Sequence, residues 1–553
     1  MRLNNRLFSA ADQWRLKNYV LPDYDREAMI ESTKKSPIWI HFGAGNIFRA
    51  FQANAVQKLL NDGIMDRGLI AAEGYDDEII DACYHPQDNL HILVTLKANG
   101  TVEKTVVGSI AEAIAMGKNE AGFARVKEIF SDPSLQMATF TITEKGYSLT
   151  NGKGELFPEV EADLKSIPNG MPKSYIGKIA YLLYIRYQCG RLPIAMVSMD
   201  NCSHNGDKLK AAVLLFAEAW QDEGFLAYVK DSEKVSFPWT MIDKITPRPD
   251  VGIQELLCQD GLESMEPVIT GKNTYIAPYV NAEECEYLVI EDSFPNGRPK
   301  LENAGFLFTD RETVDKVEKM KVCTCLNPLH TAMAIFGCLL GYTKISDEMS
   351  DPDIIALIRT IGYVEGLPVV VHPGILDPRE FIDAVVQQRL PNPFMPDTPQ
   401  RIATDTSQKL SIRFGETVKA YLKHAELDVH SLKAIPLVFA GWLRYLIGVD
   451  DDGKTFTCSS DPRLQEMREK LCGMKLGCDD VSALATSVLH DASIWGVDLY
   501  EAGLAESVID DLNHMLTGPG AVQRTLHWKI ASCTVPSSSE SGLNKNGKSH
   551  DVR

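Results

Sequence analysis

Residues 38–73, IWIHFGAGNIFRAFQANAVQKLLNDGIMDRGLIAAE, constrain the fold more than any other stretch of this chain. An apolar run ends at two closely spaced glycines. Apolar residues then recur at helical spacing, and a second apolar run, GLIAAE, follows. Strand, tight turn, helix and strand in that order make a βαβ unit, which belongs to a parallel sheet with helices on its faces. The runs LHILVTL, KTVVGSI and QMATFTIT extend the β-rich region to about Ile142, and IAMVSMDN continues the sheet. From about Thr313 to Ile530 the texture changes. HTAMAIFGCLLGYTKI, SIRFGETVKAYLKHAEL and IPLVFAGWLRYLIGV carry apolar residues at helical spacing. The expected fold is therefore α/β: an N-terminal Rossmann-type, doubly wound sheet domain over residues 1–312, then a mostly α-helical domain over 313–535. The Ser-, Gly- and Asn-rich tail, 536–553, has little to bury and is expected to be disordered.

The glycine turn points to a dinucleotide. Gly43 permits the tight turn, and Gly45 lets the backbone approach a pyrophosphate at the N-terminus of the following helix. Asn46 and Phe48 open that helix, Phe48 standing where a third glycine is usual. At the end of the second strand Glu73, or Asp76 just beyond it, is placed to accept from ribose hydroxyls. A carboxylate there repels a 2′-phosphate, which favours NAD over NADP.

Composition narrows the partners. A formal net charge of -19 disfavours nucleic acid, whose phosphates require clustered Lys and Arg. No run of 18 or more apolar residues suggests a membrane span, and the N-terminus lacks the apolar core of a secretory signal, so the expected compartment is the cytoplasm. Twelve scattered cysteines in 553 residues suggest reduced thiols rather than a disulfide framework. The expected partner is a small molecule, and the sequence sets no oligomeric state.

Five further segments are unusually polar: TITEKGY (141–147), SMDNCSHNGDKL (198–209), FPWTMIDKITPRP (237–249), VEKMKVCTCLNPLHTA (317–332) and PNPFMPDTPQRIATDTSQKLSIRF (391–414). With HFGAGNIFRAF they run collinearly, and YLVIEDSFPNGRP and AGWLRYLIGVDDDG add to them. Together they resemble the signature blocks of the polyol-specific long-chain dehydrogenases, a family that includes mannitol 2-dehydrogenase, fructuronate reductase and tagaturonate reductase. The resemblance implies metal-independent hydride transfer between a nicotinamide cofactor and a sugar-derived secondary alcohol. It makes Lys321 the acid/base and Glu318 its proton-path neighbour. Asn201 and Asn327 become the oxyanion donors, and His330, Asp243, Arg401 and Lys409 surround the substrate. The expected reaction is interconversion of D-mannonate and D-fructuronate, with mannitol 2-dehydrogenase or tagaturonate reductase as the alternative. A nucleotide-binding regulator without turnover is the reading from a different class.

The residue types suit that chemistry. Hydride departure from a carbinol needs its hydroxyl proton removed, so a base must lie within hydrogen-bond reach. Carboxamide N–H groups stabilise the charge developing on oxygen. A keto-uronate also needs a cation for its carboxylate, for which Arg401, Lys409 and Lys244 are candidates. Taken singly, a helix-start lysine, a packed histidine or a turn asparagine is ordinary; their joint occurrence carries the signal. Spacing raises one conflict. The family's lysine precedes its asparagine by five residues and its histidine by eight, whereas here the separations are six and nine. On a regular helix at about 100° per residue, Lys321 faces away from His330 and Lys319 lies about 20° from it. A π-bulge would restore Lys321. Cys323 and Cys325 raise zinc, but C-x-C is poor structural-zinc spacing, so no metal is expected.

Overall fold

The computed structural model describes residues 1–167, 170–478 and 480–531. The expected disordered tail lies outside them. The chain divides into two compact units. One comprises Met1–Glu318 with Pro373–Leu376 and Asn392–Met395; the other comprises Lys319–His372, Asp377–Pro391 and Pro396 onward.

The first unit is organised by a six-stranded, wholly parallel sheet. Its strands are β1 (Trp39–Phe42), β2 (Leu69–Glu73), β3 (Ile110–Ala115), β4 (Met137–Phe140), β5 (Ile194–Ser198) and β6 (Val235–Ser236). Their spatial order is β3-β2-β1-β4-β5-β6, the doubly wound order of a Rossmann sheet. β1, β2, β4 and β5 are buried along their whole length. A sheet covered on both faces selects such continuous apolar runs over alternation. Helix α1 (Ala53–Asn61) follows β1 through a π-turn over Phe48–Gln52 and covers one face with Val56, Leu59 and Leu60.

Two of the expected strands lie elsewhere. His91–Leu96 and Val102–Val107 pair antiparallel, and the first of them also pairs with Tyr279–Glu283 in a separate four-stranded sheet. The short polar link KANGT returns the chain directly, so no crossover can place the two runs parallel. Thr240–Asp243, Tyr287–Glu291 and Leu307–Thr309 form a three-stranded sheet.

The second unit is helical. Helix α2 (Arg311–Met320) enters it, a π-turn over Lys321–Cys325 follows, and α3 (Asn327–Leu339) continues. This continuous stretch, Arg311–Leu339, is by length and composition alone long and apolar enough to cross a membrane, although the sequence shows no unbroken run of 18 apolar residues. Its most apolar window is 78% buried inside the protein, which is how a core helix behaves. Helix α4 (Ala434–Tyr445), buried at every position, packs against α3. The Glu365 carboxylate closes the start of α4 by accepting from the Lys433, Ala434 and Ile435 amides at 2.5, 2.7 and 2.9 Å. Further π-turns occupy Thr360–Gly366, Val385–Arg389 and Ser411–Gly415.

Candidate active site

At the end of β1 the chain turns through Gly43, whose φ of +105° excludes an ordinary side chain. A Cβ there would stand 2.2 Å from the Thr141 carbonyl oxygen, so β1 and β4 approach one another closely only because this residue is glycine. The two strands flank the switch point of the sheet, where open α/β folds bind ligands. Gly45 differs: a Cβ would meet open space. The chain's own packing does not demand glycine there.

Phe48 is fully buried and stacks on His41 with ring centroids 4.1 Å apart. The Phe48 side chain is therefore committed to the core beneath the turn, which leaves only its backbone for the cofactor contact expected of this residue. The aromatic ring fills the space beneath the turn that a third glycine would leave. His41 hydrogen-bonds the Thr139 and Thr141 hydroxyls at 2.6 and 2.8 Å, and burial pushes its pKa down to about 3, so the ring is neutral. Asn46 faces the Val268–Ile276 hairpin, its amide donating to the Tyr275 carbonyl at 3.4 Å while its oxygen accepts from Arg49 at 2.8 Å.

The acidic residues beyond β2 lie where expected, but they turn inward. The Glu73 carboxylate accepts from the Ala44 amide at 2.8 Å and from the Tyr75 and Asp76 amides at 2.8 and 3.1 Å, bracing the glycine turn. Burial raises its pKa, and the backbone donors oppose that rise. Asp76 accepts from the Thr270 hydroxyl at 2.6 Å. Glu78 holds the Gly271 amide at 2.8 Å, and Lys272 Nζ donates to the Tyr75 carbonyl at 2.6 Å. The hairpin thus clasps the strand end, a contact the sequence did not disclose.

The loops after β4 and β5 are tied by one carboxylate. Asp200 accepts from the Ile142 and Thr143 amides at 3.0 and 2.8 Å and from the Tyr147 hydroxyl at 2.5 Å. Burial raises its pKa, and these donors pull against the rise. Thr143 sits at φ 64°, ψ 159°, a region otherwise confined to glycine. Asn201 follows Asp200 at the exposed rim of the same loop. Asn205, buried behind it, donates to the Asp200 and Thr240 carbonyls at 2.9 and 3.1 Å. Asp243 closes the strand that begins at Thr240 and is buried. Helix α2 lies close to this region: Asp315 meets His204 at 3.4 Å, and Glu318 lies within electrostatic reach of Cys202 and Lys208.

The spacing conflict meets its answer in the π-turn after α2. The Leu326 amide donates to the Lys321 carbonyl at 3.1 Å, an i→i+5 bond that absorbs one residue. Lys321, 4% exposed, is drawn inward, whereas Lys319 is exposed. Asn327 begins α3 and His330 lies one turn on, its amide bonded to the Leu326 carbonyl at 3.1 Å.

Two family models cover most of the chain: the mannitol dehydrogenase Rossmann domain over residues 37–303 and the mannitol dehydrogenase C-terminal domain over 313–516. The D-mannonate oxidoreductase of Thermotoga maritima is 49% identical over 534 residues, covering 95% of this chain and 98% of that protein. The chain belongs to the mannitol dehydrogenase family. Two solved members share the fold along nearly the whole chain. Substrate-free D-sorbitol dehydrogenase is 26% identical with a TM-score of 0.79, covering 95% of this chain and all of its own. Pseudomonas fluorescens mannitol 2-dehydrogenase, solved as a ternary complex with NAD and D-mannitol, is 25% identical with a TM-score of 0.67, covering 96% and all of its own.

Within this mannitol dehydrogenase framework, several cations differ in their commitments. Lys244 is spent on the Glu283 carbonyl at 2.7 Å and the Glu286 carboxylate at 2.9 Å, which corrects its candidacy as a substrate cation. Arg401 pairs with Asp397, and its side chain is 67% exposed. Lys409 donates only to carbonyls, those of Ile402 at 3.2 Å and Thr404, and burial lowers its pKa. Arg413, which the sequence reading passed over, hydrogen-bonds Thr331 beside His330. Asp200 and Tyr147 were also missed, although both lie inside quoted motifs. Their function depends on a bond between two loops more than 50 residues apart. Among the described residues, no group of three or more His, Cys, Asp or Glu is arranged to hold a metal.

Proposed function

We propose that this chain is an NAD-dependent dehydrogenase interconverting D-mannonate and D-fructuronate. The observation that carries the reading is the π-turn that draws Lys321 into the protein three residues beyond Glu318 while Lys319 stays in water. A base must lie within hydrogen-bond reach of the proton it takes, and the inward turn of Lys321 serves that need. Full-length similarity to a D-mannonate oxidoreductase supports the sugar acid as substrate. The switch-point turn at Gly43 and the open space over Gly45 fit a dinucleotide pyrophosphate, with Asn46 at the helix start. When bound, the nicotinamide supplies the hydride acceptor or donor.

The chain's own residues do the rest. Lys321 takes the hydroxyl proton of D-mannonate during oxidation and returns it to the carbonyl oxygen during reduction, with Glu318 passing it toward solvent. Asn201 and Asn327 donate to the same oxygen as charge builds on it. His330, Asp243 and Lys409 orient the remaining hydroxyls. Glu73 serves the glycine turn as a brace, and any ribose contact comes second to that task. The cytoplasm is the compartment this reading implies, and the described cysteines are all unbridged.

The test follows NADH oxidation with D-fructuronate, D-tagaturonate and D-fructose, using the parent, Lys321→Met and Lys319→Met. D-Fructuronate should be turned over fastest. Loss of the lysine should lower kcat by roughly a hundredfold or more at 321 and leave 319 near the parent. Loss at 319 alone would overturn the assignment. NADH binding without turnover of any ketose would favour a regulator.

A further inference from the structure

Two cations on successive turns of the helical unit, Lys409 and Arg413, form no ion pair among the described residues. Arg413 lies in the π-turn over Ser411–Gly415, and its amide donates to the Lys409 carbonyl at 2.9 Å. The two side chains are therefore i,i+4 neighbours and share a face. Burial lowers the readiness of Lys409 to hold a proton, and the nearby Arg413 charge lowers it further. Among the described residues no carboxylate hydrogen-bonds either cation. The acids within electrostatic reach of Lys409 are Asp405 and Asp461, and Asp461 is taken up by the Ser407 amide and hydroxyl at 2.7 and 2.5 Å. Arg413 is half-buried, and among the described residues its guanidinium donates to the Thr331 hydroxyl. A guanidinium and an ammonium, both half-buried and neither ion-paired among the described residues, are unfavourable together unless an anion completes the site.

The position of this pair matters as much as its charge. The π-turn that holds Arg413 packs against the π-turn that holds Lys321. Thr331 adjoins His330 and bonds back to the Asn327 carbonyl at 2.9 Å. The guanidinium is therefore anchored on the helical turn that carries two of the candidate catalytic residues. Arg401, the arginine proposed from sequence, already has Asp397.

We propose that Arg413, supported by Lys409, binds the carboxylate of the substrate and so selects sugar acids over neutral polyols. The proposal rests on the reading of this chain as a sugar-acid dehydrogenase and names the residue that confers it. Guanidinium is the right group: it keeps its charge when buried, and its planar fork of donors matches a carboxylate. Thr331 takes one donor and holds the plane, leaving the others for the ligand. A polyol offers only hydroxyls there and leaves the buried charge uncompensated.

The experiment compares the parent, Arg413→Gln, Arg413→Lys and Thr331→Val as full-length proteins. It measures kcat/KM with NADH for D-fructuronate and for D-fructose, which lacks the carboxylate, and NADH affinity by fluorescence. Arg413→Gln should lower kcat/KM for D-fructuronate by about thirtyfold or more, mainly through KM, because a buried charged partner is lost. D-Fructose turnover should fall far less or rise, and NADH affinity should hold. Arg413→Lys should recover part of the acid preference. Thr331→Val should keep most of it, because the charge remains. Equal losses on acid and neutral substrate, or an undiminished acid preference in Arg413→Gln, would overturn the assignment of Arg413 alone. A parent that turns over no sugar acid would overturn the proposed function and this inference with it.

Discussion

Replacing Thr143 by glycine should make the protein more stable and a poorer enzyme. Thr143 holds φ 64° and ψ 159°, where a β-branched side chain clashes with its own backbone. Such a conformation costs about 1–3 kcal/mol. Its side chain is exposed, so truncation removes little packing. Glycine adopts the same backbone freely but adds about 0.5–1 kcal/mol of entropy to the unfolded chain. The net gain is therefore about 0.5–2 kcal/mol, or a rise in Tm on the order of one degree in a protein of this size. The strain is held by Asp200, through the 2.8 Å bond from the Thr143 amide and the 2.5 Å bond from Tyr147. That carboxylate precedes Asn201, one of the proposed oxyanion donors. A relaxed loop would let Asn201 wander, and each 1.4 kcal/mol of lost positioning costs about tenfold in rate. Calorimetric Tm and kcat measured on T143G and T143A together make the test. T143A keeps its Cβ and hence the strain, so its Tm should not rise. If T143G shows no rise in Tm, or a rise with kcat unchanged, the claim that strain is stored here for catalysis is wrong.

Two other outcomes follow from the geometry. Gly43→Ala should abolish turnover and lower stability, because the new Cβ meets backbone at Thr141 in a conformation reserved for glycine; retained NADH binding would refute this. Glu348 is fully buried with neither carboxylate oxygen hydrogen-bonded among the described residues, and burial pushes its pKa up to about 9. Because this folded-state pKa lies above the unfolded one, the folded protein holds a proton that the unfolded chain releases. Stability should then fall as pH rises from about 4.5 toward 9, by at most about 1.4 kcal/mol per unit. Glu348→Gln should flatten that slope and be the more stable protein at pH 8, as judged by urea denaturation; a steeper slope or lower stability at pH 8 would contradict it.

How much was legible beforehand depended on the range of the physics involved. The order of strand, glycine turn and helix around Gly43 could be read from local pattern, because φ preference, helical spacing and double-sided burial leave marks within a few residues. The change to helical spacing after Thr313 could be read for the same reason. The candidate residues could be named because the short polar blocks that carry them resemble those of a known family, and the chemistry of hydride and proton transfer suits their side chains.

Tertiary structure decided what those residues face. Whether Lys321 or Lys319 turns inward depended on a single i→i+5 bond that no spacing rule could choose. Glu73 and Asp76 carry the charge expected of ribose acceptors, yet a hairpin nearly 200 residues away and the backbone of the turn claim their oxygens first. Arg413 resembles any surface arginine until folding half-buries it beside Lys409, with no ion pair among the described residues. Sequence determines which groups exist and which local conformations they prefer. Only the folded chain determines which charges are satisfied internally and which are left to recognise something else.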